Sequence, residues 1–571
     1  MSEKMLTGKP SIDKPWLQYF PPGIEQTPIP EMRFYDFVCQ HCPGDDVVMM
    51  NYYGTEITWK EFKADVERAA KALKSLGIGV GSKIPMFLKA TPAFYVTLFA
   101  TELVGATLLC RDGDQRECFQ VIDRAKSEIM FEHDYLSKED EEVYLTTELK
   151  KAILVSPYEY ATEMADYNES YLKGLYPENK AENPNNLTWK EFLALGDSFE
   201  GEYLAPVDTT RLLYCPFTTG STGDPKQVNH CAKTMVSAMF QLSMFGGVGE
   251  GFRPLWLHTL LPPSLIAIVI GMTVLPIVMN MNVVLDPWLD VHDVDLAFMK
   301  YRPNCWPTIP MFVEILISSK RIPEDYDMSF FMTSTAGAEA LNNSQIKRTN
   351  EFLEKHNSKL RMTTGYGMTE AGSAVTLPCP VVETKDGCTG MPMPMTIISI
   401  FKPGTQEECS YGERGEICIS SPAVMLGYED GGTEKVLQKH PDGRMWLHSG
   451  DIGYMTEVGA LYVLNRGPAE RFGGGDVFAI PMENKVVHIE GIADAFFVIP
   501  TDADHEGYFV PYLYVVLKEG YTVADVEGEI RASLEEHEQP VEIVQVPERL
   551  FFHFKTARKV LAAEIAAKRN K

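Results

Sequence analysis

The chain has 571 residues, 45% of them hydrophobic, and a formal charge of −27 from 52 basic and 79 acidic side chains. That acidic balance disfavours nucleic-acid backbones and anionic lipid, so a bound nucleotide must be held by local backbone N–H groups and a few placed cations. The apolar fraction supports a substantial core, and the length suits three or four structural units.

Eleven cysteines are scattered through the chain. Cys39-Gln-His-Cys42 is the closest pair, and no second pair completes a zinc site, so ordinary reduced thiols are expected. The first residues, Met1 to Lys9, lack the apolar run of a signal peptide. Together these features predict a cytoplasmic protein.

Residues up to about Pro43 are rich in proline and aromatics and predict an arm wrapped on a larger body. Thr58, with Glu61 three residues on, forms a capping box. Phe62, Val66, Ala69, Ala70, Leu73 and Leu76 then recur with helical period until Gly77. Lys83–Leu88 predicts a buried strand, Ala93–Val104 a helix and Ala106–Cys110 another strand. Such alternation argues for a doubly wound α/β sheet. Residues 132–206 are polar and Tyr-rich, with turn chemistry at Asn183-Pro184-Asn185-Asn186, and predict a surface excursion carrying one helix after Thr188. The alternation resumes from Arg211 to about Leu464. Within it, the apolar run Leu265–Met279 contains Gly271 and Pro276 and falls short of the ~20 residues of a membrane span, so it predicts a buried helix. After Arg466 come the cluster Gly473-Gly474-Gly475 and short elements of α+β character. The expected division is an N-terminal domain over 1–465 and a C-terminal one over 466–571.

The most informative stretch is Tyr214-Cys-Pro-Phe-Thr218-Thr219-Gly220-Ser221-Thr222-Gly223-Asp224-Pro225-Lys226. An apolar strand runs into glycines that let backbone N–H groups approach a polyphosphate, hydroxyls that donate to its oxygens, and an ammonium. It is not a Walker loop, because Gly220 and Gly223 are too close and Pro225 precedes the lysine. Thr-Thr-Gly-Ser-Thr-Gly-Asp-Pro-Lys resembles the phosphate loop of the adenylate-forming superfamily, which holds acyl-CoA synthetases, peptide-synthetase adenylation domains and luciferases.

Further segments match in the family's order. Gly337-Ala338-Glu339 resembles its adenine-contacting turn. Tyr366-Gly367-Met368-Thr369-Glu370 resembles its Tyr-Gly-x-Thr-Glu sequence, in which Tyr366 would stack on adenine, Thr369 would contact the α-phosphate and Glu370 would hold Mg²⁺. His448-Ser449-Gly450-Asp451 resembles the segment whose Asp grips the ribose hydroxyls, and Arg466 would be a second ribose contact. Gly415-Glu416 and Gly427-Tyr428 resemble a strand pair that shapes the fold and needs no catalytic role. His258, in Trp256-Leu-His258, lies where acyl-CoA synthetases often carry a His beside the acyl channel.

The match frays in the tail. Pro468 stands at the likely hinge and fixes φ there. Phe554-Lys555-Thr556-Ala557-Arg558-Lys559 lacks the glycine that precedes the family's lid lysine and is one residue short. Lys559 is the expected lid lysine, with Lys555 as competitor and a basic helix start as the plain alternative.

The resemblance implies a large N-terminal domain of doubly wound mixed sheets plus a small β-barrel-like part, and a small α+β lid. It implies ATP-dependent conversion of a small carboxylic acid, fatty or otherwise apolar, to an acyl-adenylate, followed by thioester formation with coenzyme A. One alternative stops at the adenylate or uses a carrier-protein thiol. Another is a nucleotide-binding protein with a non-catalytic lid. The identity of the acid and the oligomeric state are not readable from the sequence.

Overall fold

The computed structural model describes residues 6–111, 115–135, 141–176, 183–218, 226–245, 251–337, 339, 341–379, 387–552 and 555–569. Its largest sheet has eight strands, ordered Gly427–Tyr428, Val228–Cys231, Leu212–Pro216, Thr107–Cys110, Lys83–Met86, Ile129–His133, Lys151–Val155 and Leu187–Thr188. Pairing is parallel from Leu212–Pro216 outward to Leu187–Thr188. It is antiparallel where Leu212–Pro216 turns back through Val228–Cys231 onto Gly427–Tyr428.

Two helices on this sheet begin with the same pentapeptide, Thr-Trp-Lys-Glu-Phe, at 58–62 and 188–192. In both, the threonine accepts from the backbone N–H of the glutamate three residues on, and the glutamate returns the bond. Each such cap is worth about 1 kcal/mol. The two helices, Trp59–Ser75 and Trp189–Asp197, pack together through Gly196, where a Cβ would lie 1.9 Å from the carbonyl oxygen of Arg68.

Residues 132–206 therefore do more than cross the surface: they extend the large sheet by two strands. The polarity of the segment misleads because its tyrosines spend their hydroxyls internally. Tyr167 donates to Asp286 at 2.8 Å and Tyr176 to Asp134 at 2.6 Å. A buried phenol with a partner carries its ring into the core without penalty.

A second sheet orders Leu255–His258, Asn282–Leu285, Val48–Tyr52 and Thr55–Thr58. Between its first two strands the run 266–278 is helical and largely buried, as expected, with a π-helical turn over Val269–Val274 just before Pro276. No helix among the described residues is long and apolar enough to cross a membrane. A third, barrel-like sheet joins Ile397–Phe401, Gly415–Ser420, Met445–Met455 and Leu437–Lys439, with Leu461–Arg466 pairing onto Met445–Met455. The N-terminal arm spans these parts, since Trp16 is buried in the barrel-like core while Phe34, Phe37 and Val38 enter the main one.

The C-terminal part is α+β, with strands Ile492–Val498, Tyr512–Leu517 and Ile543–Gln545 in one sheet. It is stitched to the N-terminal body by helix Asn343–Lys355. Asn342 donates to Glu483 and to the carbonyl of Ala495, the Asn343 N–H to Asn484, and Arg348 to the carbonyl of Ala493.

Candidate active site

Strand Leu212–Pro216 delivers the phosphate-loop segment at its C-terminal edge, where ligands of α/β sheets gather. The segment is closed at its base. The Thr218 N–H donates to Lys226 O at 2.9 Å, and the Lys226 N–H donates to Thr218 Oγ1 at 3.0 Å. Of the expected loop residues, Thr219, Gly220, Ser221, Thr222 and Gly223 lie outside the described residues, as does Ala338 in the adenine turn.

Antiparallel pairing sets Tyr428 opposite Val228, two residues beyond Lys226. Lys226 Nζ consequently lies 4.6 Å from the centroid of the Tyr428 ring, a cation–π distance. The Tyr428 hydroxyl donates to Glu370 Oε1 at 2.8 Å. One side chain thus ties the loop base to the carboxylate expected to hold Mg²⁺. The other oxygen of Glu370 has no hydrogen-bond partner among the described residues, and a carboxylate oxygen so left suits a hard cation.

Glu370 is held from behind. His230 is buried, and burial pushes its imidazole down to about 4, so the neutral ring donates through Nε2 to Thr369 O at 2.9 Å. The Met425 N–H donates to Glu370 O at 2.8 Å. Gly367 permits the close return of the chain here, because a Cβ would meet Ser373 O at 2.3 Å.

In the barrel-like sheet Asp451 and Arg466 are register partners. Arg466 Nη1 donates to Asp451 Oδ1 at 2.8 Å, and the Tyr366 hydroxyl donates to Asp451 Oδ2 at 2.6 Å. Burial alone would lower the Arg466 guanidinium, yet the Asp451 charge raises it. Burial, then Asp451, raises the Tyr366 phenol well above its ordinary value. Tyr366, Asp451 and Arg466 are one unit, and Glu370 lies within electrostatic reach of Arg466.

The lid lies against the adenine-turn segment. Glu339 Oε2 accepts from the Thr556 N–H at 2.8 Å and from its hydroxyl at 2.9 Å, and Glu339 Oε1 pairs with Arg558. Its carboxylate therefore serves as a lid anchor, while the Gly337 N–H is taken by Thr308 O at 3.1 Å. Burial lowers the Lys555 ammonium, with Glu339 and Asp451 pulling the other way and Arg466 reinforcing the shift. Burial also lowers Lys559, followed by the positive charges of Lys555 and Arg466. Lys555 lies within electrostatic reach of Asp451 and Arg466, and Lys559 within reach of Arg466.

His258 is buried at the end of strand Leu255–His258, its Nε2 lies 3.0 Å from Leu261 O, and its Nδ1 lies 3.3 Å from Met272 O. Burial lowers its imidazole, so the ring is neutral and its single N–H reaches one of these carbonyls.

Sequence reasoning missed four participants. Tyr428 stood in a pair read as purely structural; His230, Thr556 and Arg558 carried no role. Thr556 and Arg558 had a local signal, their place in the fraying lysine motif.

The architecture matches solved structures. ATP-bound MatB from Rhodopseudomonas palustris superposes with a TM-score of 0.78 at 17% identity, covering 95% of this chain and 100% of that one, a likeness of fold. By sequence, the chain is 29% identical over 301 residues to 4-coumarate–CoA ligase 1 of Glycine max, covering 50% of this chain and 98% of that one. It is 25% identical over 545 residues to a long-chain-fatty-acid–CoA ligase of Bacillus subtilis, covering 90% of each. The model of the AMP-binding enzyme family matches residues 36–429, a span that runs from the N-terminal arm past the Lys226–Tyr428–Glu370 contact. On that match the chain belongs to the AMP-binding enzyme family.

Proposed function

We propose that this enzyme activates a small apolar or aromatic carboxylic acid with ATP and transfers the acyl group to coenzyme A. The observation that carries the reading is the chain of contacts that links the loop base (Thr218, Lys226) through Tyr428 to the carboxylate Glu370, with the Tyr366–Asp451–Arg466 unit within its electrostatic reach. These are the fittings that a triphosphate, its cation and a ribose require.

In the proposed first half-reaction, the acid's carboxylate attacks the α-phosphorus of ATP and pyrophosphate leaves. The loop 218–226 cradles the outer phosphates, and Thr369 contacts the α-phosphate. Glu370 would hold Mg²⁺, which neutralises phosphate charge when bound. Asp451 would exchange its internal donors for ribose hydroxyls, with Arg466 beside it. Lys559, the expected lid lysine, would steer the two anions together as a positive charge. Catalysis on this reading is alignment and electrostatics. In the second half-reaction, after the lid turns about residues 466–475, where Gly467 and Gly473 adopt positive φ, a coenzyme A thiol loses its proton to solvent and attacks the acyl carbonyl, the acyl–phosphate C–O bond breaks and AMP leaves.

The names of the relatives support an aryl or fatty acid and an acceptor thiol on coenzyme A. A pyrophosphate-release screen across aryl, fatty and short-chain acids, with and without coenzyme A, tests the proposal. Release with one of these classes together with acyl-CoA product supports it. Release without thioester means that the reaction stops at the adenylate or uses another thiol. No release with any acid leaves a nucleotide binder and overturns the reading.

A further inference from the structure

Behind the nucleotide turn, in the barrel-like sheet, three side chains of different chemistry meet. Cys418 and His448 are cross-strand register partners, and Glu416 lies two residues from Cys418 on the same face of its strand. Strand periodicity, with a bulge in this pairing between Glu416 and Cys418, brings the three together. Glu416 Oε2 lies 2.9 Å from His448 Nδ1, Cys418 Sγ lies 3.4 Å from the same nitrogen, and the three ligand atoms lie within 4.8 Å of one another.

A thiol, an imidazole and a carboxylate suggest two chemistries. A nucleophilic relay needs the base to meet the thiol through one ring nitrogen and its orienting acid through the other. Here thiol and carboxylate converge on the same nitrogen, Nδ1. That arrangement fails as a relay and suits chelation, in which ligand atoms about 2.0–2.3 Å from an ion stand roughly 3–4 Å from each other.

The surrounding contacts complete the pattern. His448 Nε2 faces His440 Nε2 at 3.0 Å, so the ring can pass its other N–H to an acceptor, as metal-held histidines do. Glu416 Oε1 accepts from the Gly450 N–H at 3.1 Å, which fixes the carboxylate. His440 is buried and its Nδ1 has no partner among the described residues. Phe401 and Trp446 wall the cluster with apolar surface. Glu416 alone is partly exposed, so an ion has a way in and a fourth position open to water.

We propose that Glu416, Cys418 and His448 form a binding site for a zinc-class divalent cation, with His440 as the positioning residue behind His448. The sulfur ligand selects zinc, cobalt or a similar ion over the hard Mg²⁺ that travels with ATP. On binding, Cys418 releases its thiol proton to solvent, Glu416 binds as carboxylate, and His448 ligates as neutral imidazole with its proton on Nε2. The site is separate from Glu370, and its detection needs neither nucleotide nor acid.

Cobalt serves as the probe. The full chain, stripped with a chelator and desalted, is titrated with Co²⁺ in the absence of nucleotide. The expected result is one equivalent bound, with a near-ultraviolet thiolate-to-cobalt charge-transfer band that Zn²⁺ bleaches and a large excess of Mg²⁺ leaves intact. Cys418→Ser should lose the band, and Cys409→Ser, one of the neighbouring buried thiols, should keep it. His440→Gln should keep the band while weakening affinity about 10- to 100-fold. Thermal melting of each metal-free variant checks that it is folded, and Glu416→Gln gives a second weakened variant that leaves the thiol in place. Absence of the band at one equivalent, its survival in Cys418→Ser, or its persistence on adding Zn²⁺ overturns the proposal.

Discussion

The hydroxyl of Tyr428 donates to Glu370 at 2.8 Å while the face of its ring receives the ammonium of Lys226. A single phenol therefore orients the carboxylate proposed to hold Mg²⁺ and parks the lysine proposed to meet the phosphates. A hydrogen bond to a charged group is worth about 1.5–3 kcal/mol. Tyr428→Phe keeps the ring and removes only the donor, so adenylation should fall about tenfold to a hundredfold, with the Mg²⁺ requirement displaced upward. Pyrophosphate exchange titrated with Mg²⁺ at fixed ATP reads both changes. An unaltered Mg²⁺ profile would detach Glu370 from the metal role.

The lid lysines can be told apart kinetically. Beyond burial, the positive charges of Lys555 and Arg466 push the Lys559 ammonium down, while Glu339 and Asp451 pull Lys555 up. Lys559→Ala should therefore cut pyrophosphate exchange by at least about a hundredfold, in the range of a lost transition-state electrostatic contact. Lys555→Ala should cost less. Burial, then like charge, lowers Lys559 from its ordinary 10.5, so activity that needs its ammonium is lost as pH rises through that lowered value. The alkaline limb of the exchange rate should accordingly sit below 10.5 in the wild type and disappear in Lys559→Ala. The reverse ranking of the two variants would transfer the role to Lys555.

What the sequence revealed, and what it hid, follows the range of each interaction. The capping boxes at Thr58 and Thr188 span three residues, so their chemistry is local and legible. The order of the family's motifs was equally readable, because each is a continuous stretch, and the family match over residues 36–429 spans most of them. Tyr428 on Glu370 spans 58 residues and depends on one antiparallel register, and Arg558 on Glu339 spans 219 and depends on where the lid lies. Neither contact has a local signature. The contacts of His258 with the carbonyls of Leu261 and Met272 were equally hidden, because the second spans 14 residues and depends on how the buried helical run folds back.

Glu339 should act as a latch whose removal frees the lid without unfolding it. Burial would raise its carboxyl, but Arg558, the Thr556 N–H, Arg549 and the Thr556 hydroxyl outweigh it and hold the group below 4.5. A depressed carboxyl contributes above its ordinary value and loses that contribution as pH falls through the lowered one. Lid docking should therefore be level from neutrality down to pH 5 and weaken only in stronger acid. Glu339→Gln should release it at neutral pH, seen as faster limited proteolysis between residues 466 and 475 with the melting of the N-terminal body unchanged. Equal cleavage rates for wild type and variant would mean that the helix Asn343–Lys355 contacts suffice.

Glu102 gives the arm a pH dependence of opposite sign. It is buried beneath the short helix Phe34–Cys39, and its two oxygens accept from the N–H groups of Phe34 and Tyr35, each at 2.7 Å. Burial pushes its carboxyl from 4.5 up to about 7, against the pull of those N–H groups. A raised carboxyl binds its proton more tightly in the folded state. Its contribution is thus complete below 4.5 and is lost as pH rises through about 7. At about 1.4 kcal/mol per tenfold in proton affinity, the span sets an upper bound of about 3 kcal/mol. Glu102→Gln cannot titrate, so the stability gap between wild type and variant should narrow steadily from pH 5 to pH 8. Melting of both proteins across that range checks it, with arm cleavage near Pro43 as a local readout. A gap that stayed level or widened toward pH 8 would mean that Glu102 is ionised throughout and that the two N–H groups outweigh burial.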